Sequence, residues 1–422
     1  MTGGAFESLD PVVKRVIAKY GVFRAFSSAG FATPFFVVFM LGNGVTYTDI
    51  ALGTALMAAV VVSLEVPSGY FADAFGRRRT MFLSQMFLGL GTVGYVVSDG
   101  TLDVSLTYLA FGVGAALKSG AGTAWFYDKL KEYDEQEKFA AVSGTLGSYV
   151  KYVSVATMLG GGVLYVVEPV AAIAVGAATN LLAAPIVLSL PTSRNAEGDE
   201  GIGPRDAARL TGDYLRTPAV RTLLVIAVLA SGALYTGSKY IQPATFGAIP
   251  EGGYSVAGVA VPAALLVAAT YGAFELGSGL ALRYAETVRS RLGLGGAVAL
   301  AFGGSAACMI VPLVSPALTI PAVVGMMSIQ SLASPGVTQY LNEYADSAAR
   351  ATINSAKSFL NSLLRIPIML GSGVVADALS PTVALAGVGA AFLLLAGCVV
   401  LGDRPVVANS SSAVETTSSP GG

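Results

Sequence analysis

Apolar residues in this chain gather in long runs broken by brief polar punctuation, with no sustained alternation of period two. Twelve runs can be drawn, over 20–41, 46–72, 80–98, 104–127, 143–167, 169–190, 219–239, 256–281, 294–314, 317–341, 352–376 and 381–402. At a rise of about 1.5 Å per residue, roughly 20 helical residues cross a hydrocarbon core about 30 Å thick. The pattern predicts an all-α membrane protein with twelve transmembrane helices. The tightest junctions fall between the fifth and sixth runs and between the ninth and tenth.

Charge placement orients the drawing. Only 12% of residues are charged, against about 25% in an ordinary soluble domain. With the N-terminus inside, the basic residues fall almost wholly in inner segments: Lys14 to Lys19, Arg77–Arg79, Lys129 to Lys138, Arg194 to Arg221, Arg283 to Arg291, Arg350 and Arg404. The outer loops hold none apart from Lys239 at the outer end of the seventh run, and the remaining basic residues lie within the runs. This bias predicts both termini in the cytoplasm and a multi-pass protein of the cell membrane. The longest inner loop, 191–218, is rich in Gly, Pro and charge and reads as a cytoplasmic linker. It separates an N-terminal six-helix bundle, 1–190, from a C-terminal one, 219–402. The Ser/Thr-rich tail, 403–422, is expected to be disordered.

Composition narrows the chemistry. The chain has no histidine, and its two cysteines, Cys308 and Cys398, lie in apolar runs. Imidazole metal sites are excluded, any proton switch must use Asp or Glu, and no metal or cofactor is expected. No phosphate loop of the GxxxxGK[ST] type and no nucleophile–base constellation is present, which argues against an ATP-driven pump and against an enzyme. No nucleic-acid motif occurs. The expected partners are a lipid bilayer and a small-molecule substrate, with protons as the coupling ion and a monomeric state. The N-terminal segment lacks the pattern of a cleaved signal peptide, so the first span is expected to act as its own insertion signal.

The halves echo each other. Glu65-Val-Pro-Ser-Gly69 at the inner end of the second span matches Glu275-Leu-Gly-Ser-Gly279 at the inner end of the eighth. Gly160-Gly161-Gly162 in the fifth span matches Gly371-Ser372-Gly373 in the eleventh, at nearly the same offset. Parallel repeats of this kind enclose a midplane binding site in one large transporter class. The stretch Gly69-Tyr-Phe-Ala-Asp73-Ala-Phe-Gly76-Arg77-Arg78 resembles the loop 2–3 signature of the major facilitator superfamily, with Ala74 where an arginine is common. "GAGTAWFYDKL" at 120–130 and "RATINSAKSFLNSLLR" at 350–365 resemble its drug-efflux-like branch. The resemblance implies two pseudo-symmetric six-helix bundles that alternate access to a central site. It implies gating by Gly69, Asp73, Gly76, Arg77 and Asp128, with Asp128 as the partner of Arg77. Asp73 would face a helix N-terminus, a contribution of roughly 0.3–1 kcal/mol. Arg78 and Arg79 read as orientation signals. The fifth-span antiporter motif Gly-Pro-x-x-Gly-Gly is kept here only as Gly160-Gly161, with Thr157 at the proline position.

Five basic residues, Arg24, Lys118, Lys151, Lys357 and Arg365, lie inside the spans, along with the acid Glu65. A basic or acidic residue at mid-span costs about 2.5–3.5 kcal/mol on insertion scales. Lys118 and Arg365 sit near the midplane, and Lys151 and Glu65 nearer the inside. Either these groups form internal ion pairs, with Glu65 neutralising Lys151 or Lys118, or they contact substrate. Glu65 is the proton-coupling candidate, because burial raises a carboxylate toward neutrality. Glu275 reads as a structural echo. Lys118, Lys151, Arg365, Asn361, Gln330, Tyr235 and Phe31 are the substrate-binding candidates, and Trp125 with Tyr127 is read as an interfacial belt. The leading reading is proton-coupled efflux of a small organic molecule. The alternatives are an importer or uniporter of a small, anionic metabolite, and a non-transporting sensor on the same fold.

Overall fold

The computed structural model describes residues 6, 8–118, 121–192, 218–250, 253–256, 258–333, 335–337 and 347–402; within its helices and strands the side chains of 65–70, 73–74, 218–220, 256, 259, 347–359 and 362 fall outside the description. The linker core 193–217 and the tail 403–422 lie outside the described residues. Each of the twelve predicted segments contains helix. Among the described residues, eight helical segments are long and apolar enough on their own to cross a membrane. The helices group into two compact units, one of 1–199 with 245–275 and one of 200–244 with 276–422.

The first unit begins with α1 (Pro11–Ser27), whose start is fixed by Pro11 at the first helical position and by the Asp10 carboxylate accepting from the Val12 amide at 2.8 Å. The first predicted span, 20–41, is not continuous. It breaks over 28–35 and resumes as α2 (Phe36–Gly42). Pro34 lacks an amide hydrogen and its ring crowds the preceding turn, which favours a break here, although Pro185 and Pro243 lie inside continuous helices elsewhere in the chain. α3 (Tyr47–Phe75) opens with a reciprocal capping box between Thr46 and Asp49. The hydroxyl of Thr101, at the start of α5 (Thr101–Lys118), donates to the same Asp49 at 2.6 Å and ties the two helix ends together.

α4 (Arg77–Val97) follows α3 with one residue between them, Gly76, at φ 86° and ψ 139°. That backbone conformation is open to glycine and costly for any residue with a Cβ. α6 (Ala121–Glu132), α7 (Phe139–Val167) and α8 (Pro169–Leu188) complete the unit's own bundle. A single residue, Glu168, separates α7 from α8. Small residues set the spacing: a Cβ on Gly53 of α3 would stand 2.6 Å from the Tyr108 ring of α5. At the end carrying Arg77, an apolar core gathers Val13, Ile17, Tyr20, Trp125, Phe126 and Leu130. Trp125 is fully buried and its indole N–H donates to the Pro191 carbonyl at 3.0 Å, so it is a core anchor and not part of an interfacial belt. Tyr127, two residues on, is exposed.

The eighth predicted span starts later than hydropathy suggested. Residues 254–256 and 259–261 form a two-stranded antiparallel pair, β1 (Tyr254–Val256) with β2 (Val259–Val261), paired Tyr254 to Val261. Valine-rich sequence favours extended backbone, Gly258 supplies the left-handed turn at φ 80°, and Pro262 ends the strand. α10 (Ala263–Val298) then runs without a true loop into the ninth predicted span, turning at Gly293 where φ is 68°. Only its first part, with the hairpin and the end of α9 (Pro218–Ala248), belongs to the first unit. There Gly162 of α7 abuts Ala268, and Tyr165 lies 6.3 Å from Phe246.

The second unit holds most of α9, the rest of α10, α11 (Gly304–Val314), α12 (Thr319–Ile329), α13 (Ser347–Ala378) and α14 (Pro381–Gly402). α11 sits between α12 and α14. Its contact with α14 is close because Gly389 leaves no side chain against the Ala306 carbonyl, which a Cβ would meet at 2.6 Å.

Candidate functional site

Three polar constellations interrupt the apolar packing. At the α3–α4 turn, the Arg77 guanidinium donates to the Asp128 carboxylate of α6. Both side chains are largely buried, so the two charges share one desolvated site. Burial pushes the Asp128 carboxyl above the ordinary aspartate range more than the Arg77 charge pulls it down; Glu132 adds to the rise and Lys131 offsets it. The pair therefore loses its negative partner at a higher pH than an exposed aspartate would. Asp73 and Gly69 lie on α3 one and two turns before this point, with side chains outside the described set. Arg78 is more than an orientation signal, since it donates to the Leu190 carbonyl at 3.0 Å. With Lys129, which donates to the Thr192 carbonyl, it fastens the chain leaving α8.

The second constellation is the helix break at 28–35. The Gly30 amide, released from helical bonding, donates to the Thr157 hydroxyl of α7 at 2.8 Å. That hydroxyl in turn donates within its own helix, to Val153 or Ser154. Phe31 lies against Gly160 and Gly161, and a Cβ on Gly161 would stand 2.2 Å from the Phe31 carbonyl oxygen. The glycine pair thus lets unwound backbone lie directly on α7, and Thr157 satisfies the donor that unwinding exposes. Sequence reasoning picked out the glycines but gave Thr157 no role. A hydroxyl at the place of a kinking proline was the available signal.

Beside the break, Lys118 at the end of α5 donates to the Ser27 hydroxyl at 3.0 Å. The Gln85 amide of α4 donates to the same oxygen at 2.9 Å. Gln85 is fully buried and its own carbonyl oxygen has no partner. Arg24 lies in the last turn of α1, three residues before Ser27. Lys151 stands apart from this group. Its ammonium is paired with Glu275, so Glu275 has a partner of its own, while the pairing expected of Glu65 with Lys151 or Lys118 falls on a side chain outside the described set.

In the second unit, the Arg365 guanidinium lies over the Tyr235 ring, 4.0 Å from its centroid, and Lys239 approaches the same ring at 4.9 Å. Gly232, one turn before Tyr235, leaves the face open toward Asn361 and Arg365. The Asn361 carbonyl oxygen and the Arg365 Nε are buried without hydrogen-bond partners. An unpaired acceptor and an unpaired donor side by side are costly inside a protein unless a ligand or water answers them. The structure thus brings Tyr235, Asn361 and Arg365 together. Gln330, in a tight turn after α12, also has an unpaired buried carbonyl oxygen, but no recorded contact joins it to that cluster. Among the described residues no cluster of carboxylate and cysteine ligands suits a metal ion.

Comparison with known proteins agrees with this architecture. The family model described as Major Facilitator Superfamily matches residues 21–369. Among solved structures, a point mutant of the nucleoside transporter NupG superposes with a TM-score of 0.74 at 12% identity, covering 91% of this chain and 98% of the other. An auto-inhibited POT family peptide transporter gives 0.63 at 13% identity, covering 93% and 97%. A POT family transporter in complex with 5-aminolevulinic acid gives 0.62 at 13% identity, covering 92% and 96%. No curated protein sequence matches. At these identities the solved structures establish the fold of two six-helix bundles, and the family match over most of the sequence establishes the lineage: the chain belongs to the major facilitator superfamily of membrane transporters.

Proposed function

We propose that this chain is a secondary active transporter that exports a small organic solute by alternating access in exchange for protons. The observation that carries the reading is the placement of polar and cationic side chains at mid-span depth around an interrupted first helix, where a purely structural membrane bundle would bury apolar groups. Broken helices with polar surroundings are how membrane proteins hold solutes in the hydrocarbon layer. Arg77 and Asp128, together with Asp73, serve as the latch at the cytoplasmic mouth, and Glu65 is the proton carrier. The superfamily resemblance supports both roles, and the Arg77–Asp128 pair supports the first.

Purified protein in proteoliposomes, given an imposed pH gradient and a panel of nucleosides, dipeptides, amino acids and carboxylates, tests the reading. Gradient-driven accumulation of one class is the expected result, and a Glu65→Gln variant should lose the pH dependence while still exchanging solute. Absence of flux for every class, with the protein folded, removes the transporter reading; pH-driven uptake unchanged in Glu65→Gln removes that residue from coupling.

The second reading is an importer or uniporter of an anionic metabolite. It is favoured by one observation: the mid-span cations Lys118 and Arg365 have no acid partner among the described residues, while the acid Glu275 is already neutralised by Lys151. Flux that is insensitive to the proton gradient would support it over export.

A further inference from the structure

Asn361 and Arg365 share one face of α13, because residues four apart on a helix stand one above the other. Both turn toward α9, where the Arg365 guanidinium lies over the Tyr235 ring at 4.0 Å from its centroid. That contact covers one face of the guanidinium. Its N–H groups lie in its own plane, so an acceptor must reach them from the side. The Arg365 Nε and the Asn361 carbonyl oxygen are buried, and neither has a hydrogen-bond partner.

The backbone of α9 leaves room at the same place. Gly232 has no side chain, and a Cβ built on it would meet nothing nearer than the Asn361 carbonyl oxygen at 3.8 Å and the Arg365 Cα and Cβ at 3.9 Å. A notch about the size of a methyl group therefore lies against Asn361 and Arg365. Its wall offers a donor and an acceptor one helical turn apart.

This pairing is selective. A carboxylate would accept from Arg365 but would set a lone pair against the Asn361 oxygen. An ammonium would donate to Asn361 but would face the guanidinium charge. Either way a buried polar group stays unanswered, which is the costly condition. A group with a carbonyl oxygen and an N–H on the same edge answers both and brings no charge.

We infer that Gly232, Asn361 and Arg365 form a subsite for a neutral amide edge of the solute, as carried by a primary carboxamide, a lactam or a urea. The carbonyl of that edge accepts from Arg365 and its N–H donates to Asn361. Tyr235 is a positioning residue that holds the guanidinium plane. The inference rests on the transporter reading and narrows its solute, but the subsite can be measured without transport.

The test uses the full-length protein in detergent, with thermal unfolding and saturation-transfer NMR as readouts. Three probes share a phenyl ring. Benzamide has both donor and acceptor, N,N-dimethylbenzamide has only the acceptor, and benzoate has acceptors with a charge. Benzamide should bind about ten-fold more tightly than either, a comparison that needs no variant. Asn361→Leu should reduce the preference for benzamide over its dimethyl form to within about two-fold, which separates a lost hydrogen bond from the bulk of the methyl groups. Tyr235→Leu should weaken both amides alike, and Tyr235→Phe should restore them, since the ring and not the hydroxyl holds Arg365. Gly232→Ala should unfold at the same temperature as the parent protein, because its Cβ fits, yet bind benzamide about ten-fold more weakly. Equal binding of the three probes, a preference that survives Asn361→Leu, or undiminished benzamide binding in Gly232→Ala would overturn the subsite. Benzoate as the tightest probe would overturn the amide assignment in favour of an anionic group. Selective benzamide binding in a protein that moves no solute would keep the subsite and remove the transporter reading. Solute flux indifferent to both Asn361→Leu and Gly232→Ala would do the reverse.

Discussion

Gly160-Gly161-Gly162 in α7 and Gly371-Ser372-Gly373 in α13 read as one motif repeated, yet the fold uses them for different work. In α7 the glycines are contact surface. Gly161 admits the Phe31 backbone, and Gly162 admits Ala268. In α13, Gly371 faces open space, and the useful residue is the serine, whose hydroxyl accepts from Tyr240 at 2.8 Å and donates to the Met369 carbonyl. One segment lets an irregular chain approach a helix; the other makes a buried side-chain hydrogen bond. A repeated sequence therefore transmits a helix and its small-residue face, while the neighbour that arrives on that face decides what the residues do.

Substitutions can break this contrast, and they rank by what each residue touches. Gly161→Ala should be the most damaging, by about 3 kcal/mol or more, because a Cβ would lie 2.2 Å from a backbone oxygen that cannot rotate away. Loss of folded protein on detergent size-exclusion chromatography is the expected readout. Thr157→Val should cost about 1–3 kcal/mol by stranding the Gly30 amide, while Thr157→Ser should restore most of it; thermal unfolding of the three proteins measures both. In a double-mutant cycle, Arg77→Gln and Asp128→Asn should show a coupling of about 1–2 kcal/mol, with altered accessibility of cysteines introduced at the α3–α4 turn if the pair is a latch. Ser372→Ala should cost about 1 kcal/mol through the lost Tyr240 bond. Gly371→Ala should be neutral or stabilise by up to about 1 kcal/mol, as nothing crowds it and alanine is the better helix former. Equal penalties at Gly161 and Gly371 would mean that the two motifs are equivalent after all.

The first and last predicted spans show how far the pattern could be read. The twelfth, 381–402, coincides with α14 because it is a continuous apolar run with Pro381 at its start and no internal breaker. The first, 20–41, is equally apolar but breaks over 28–35, since Pro34 removes a helical bond and Thr157, from more than a hundred residues away, answers the freed amide. The strand pair of 254–256 and 259–261 was folded into a span for a related reason. Hydropathy averages over windows long enough to hide two three-residue strands, and it is blind to the left-handed turn at Gly258. Among the site residues, Tyr235, Asn361 and Arg365 were individually visible as polar groups in apolar runs. That they meet follows from the packing of α9 on α13. Gln85 carried the same visible signal and received no role, because a single sequence does not reveal which helix faces turn inward.

By itself, the sequence determined everything that follows from transfer between water and hydrocarbon. That covers the twelve apolar segments that each contain helix, the charge bias between loops and the absence of imidazole or phosphate-loop chemistry. Local stereochemistry added the turn at Gly76 and the caps at Asp10 and Thr46. Tertiary structure decided the pairings: Lys151 with Glu275, Trp125 with the Pro191 carbonyl, Thr157 with Gly30, and Lys118 with Ser27. Burial energies depend on how many apolar atoms a segment carries and are nearly indifferent to rotation about its axis within lipid. A hydrogen bond or ion pair depends on an ångström of position and a partner distant in the chain, so it exists only once the helices have packed.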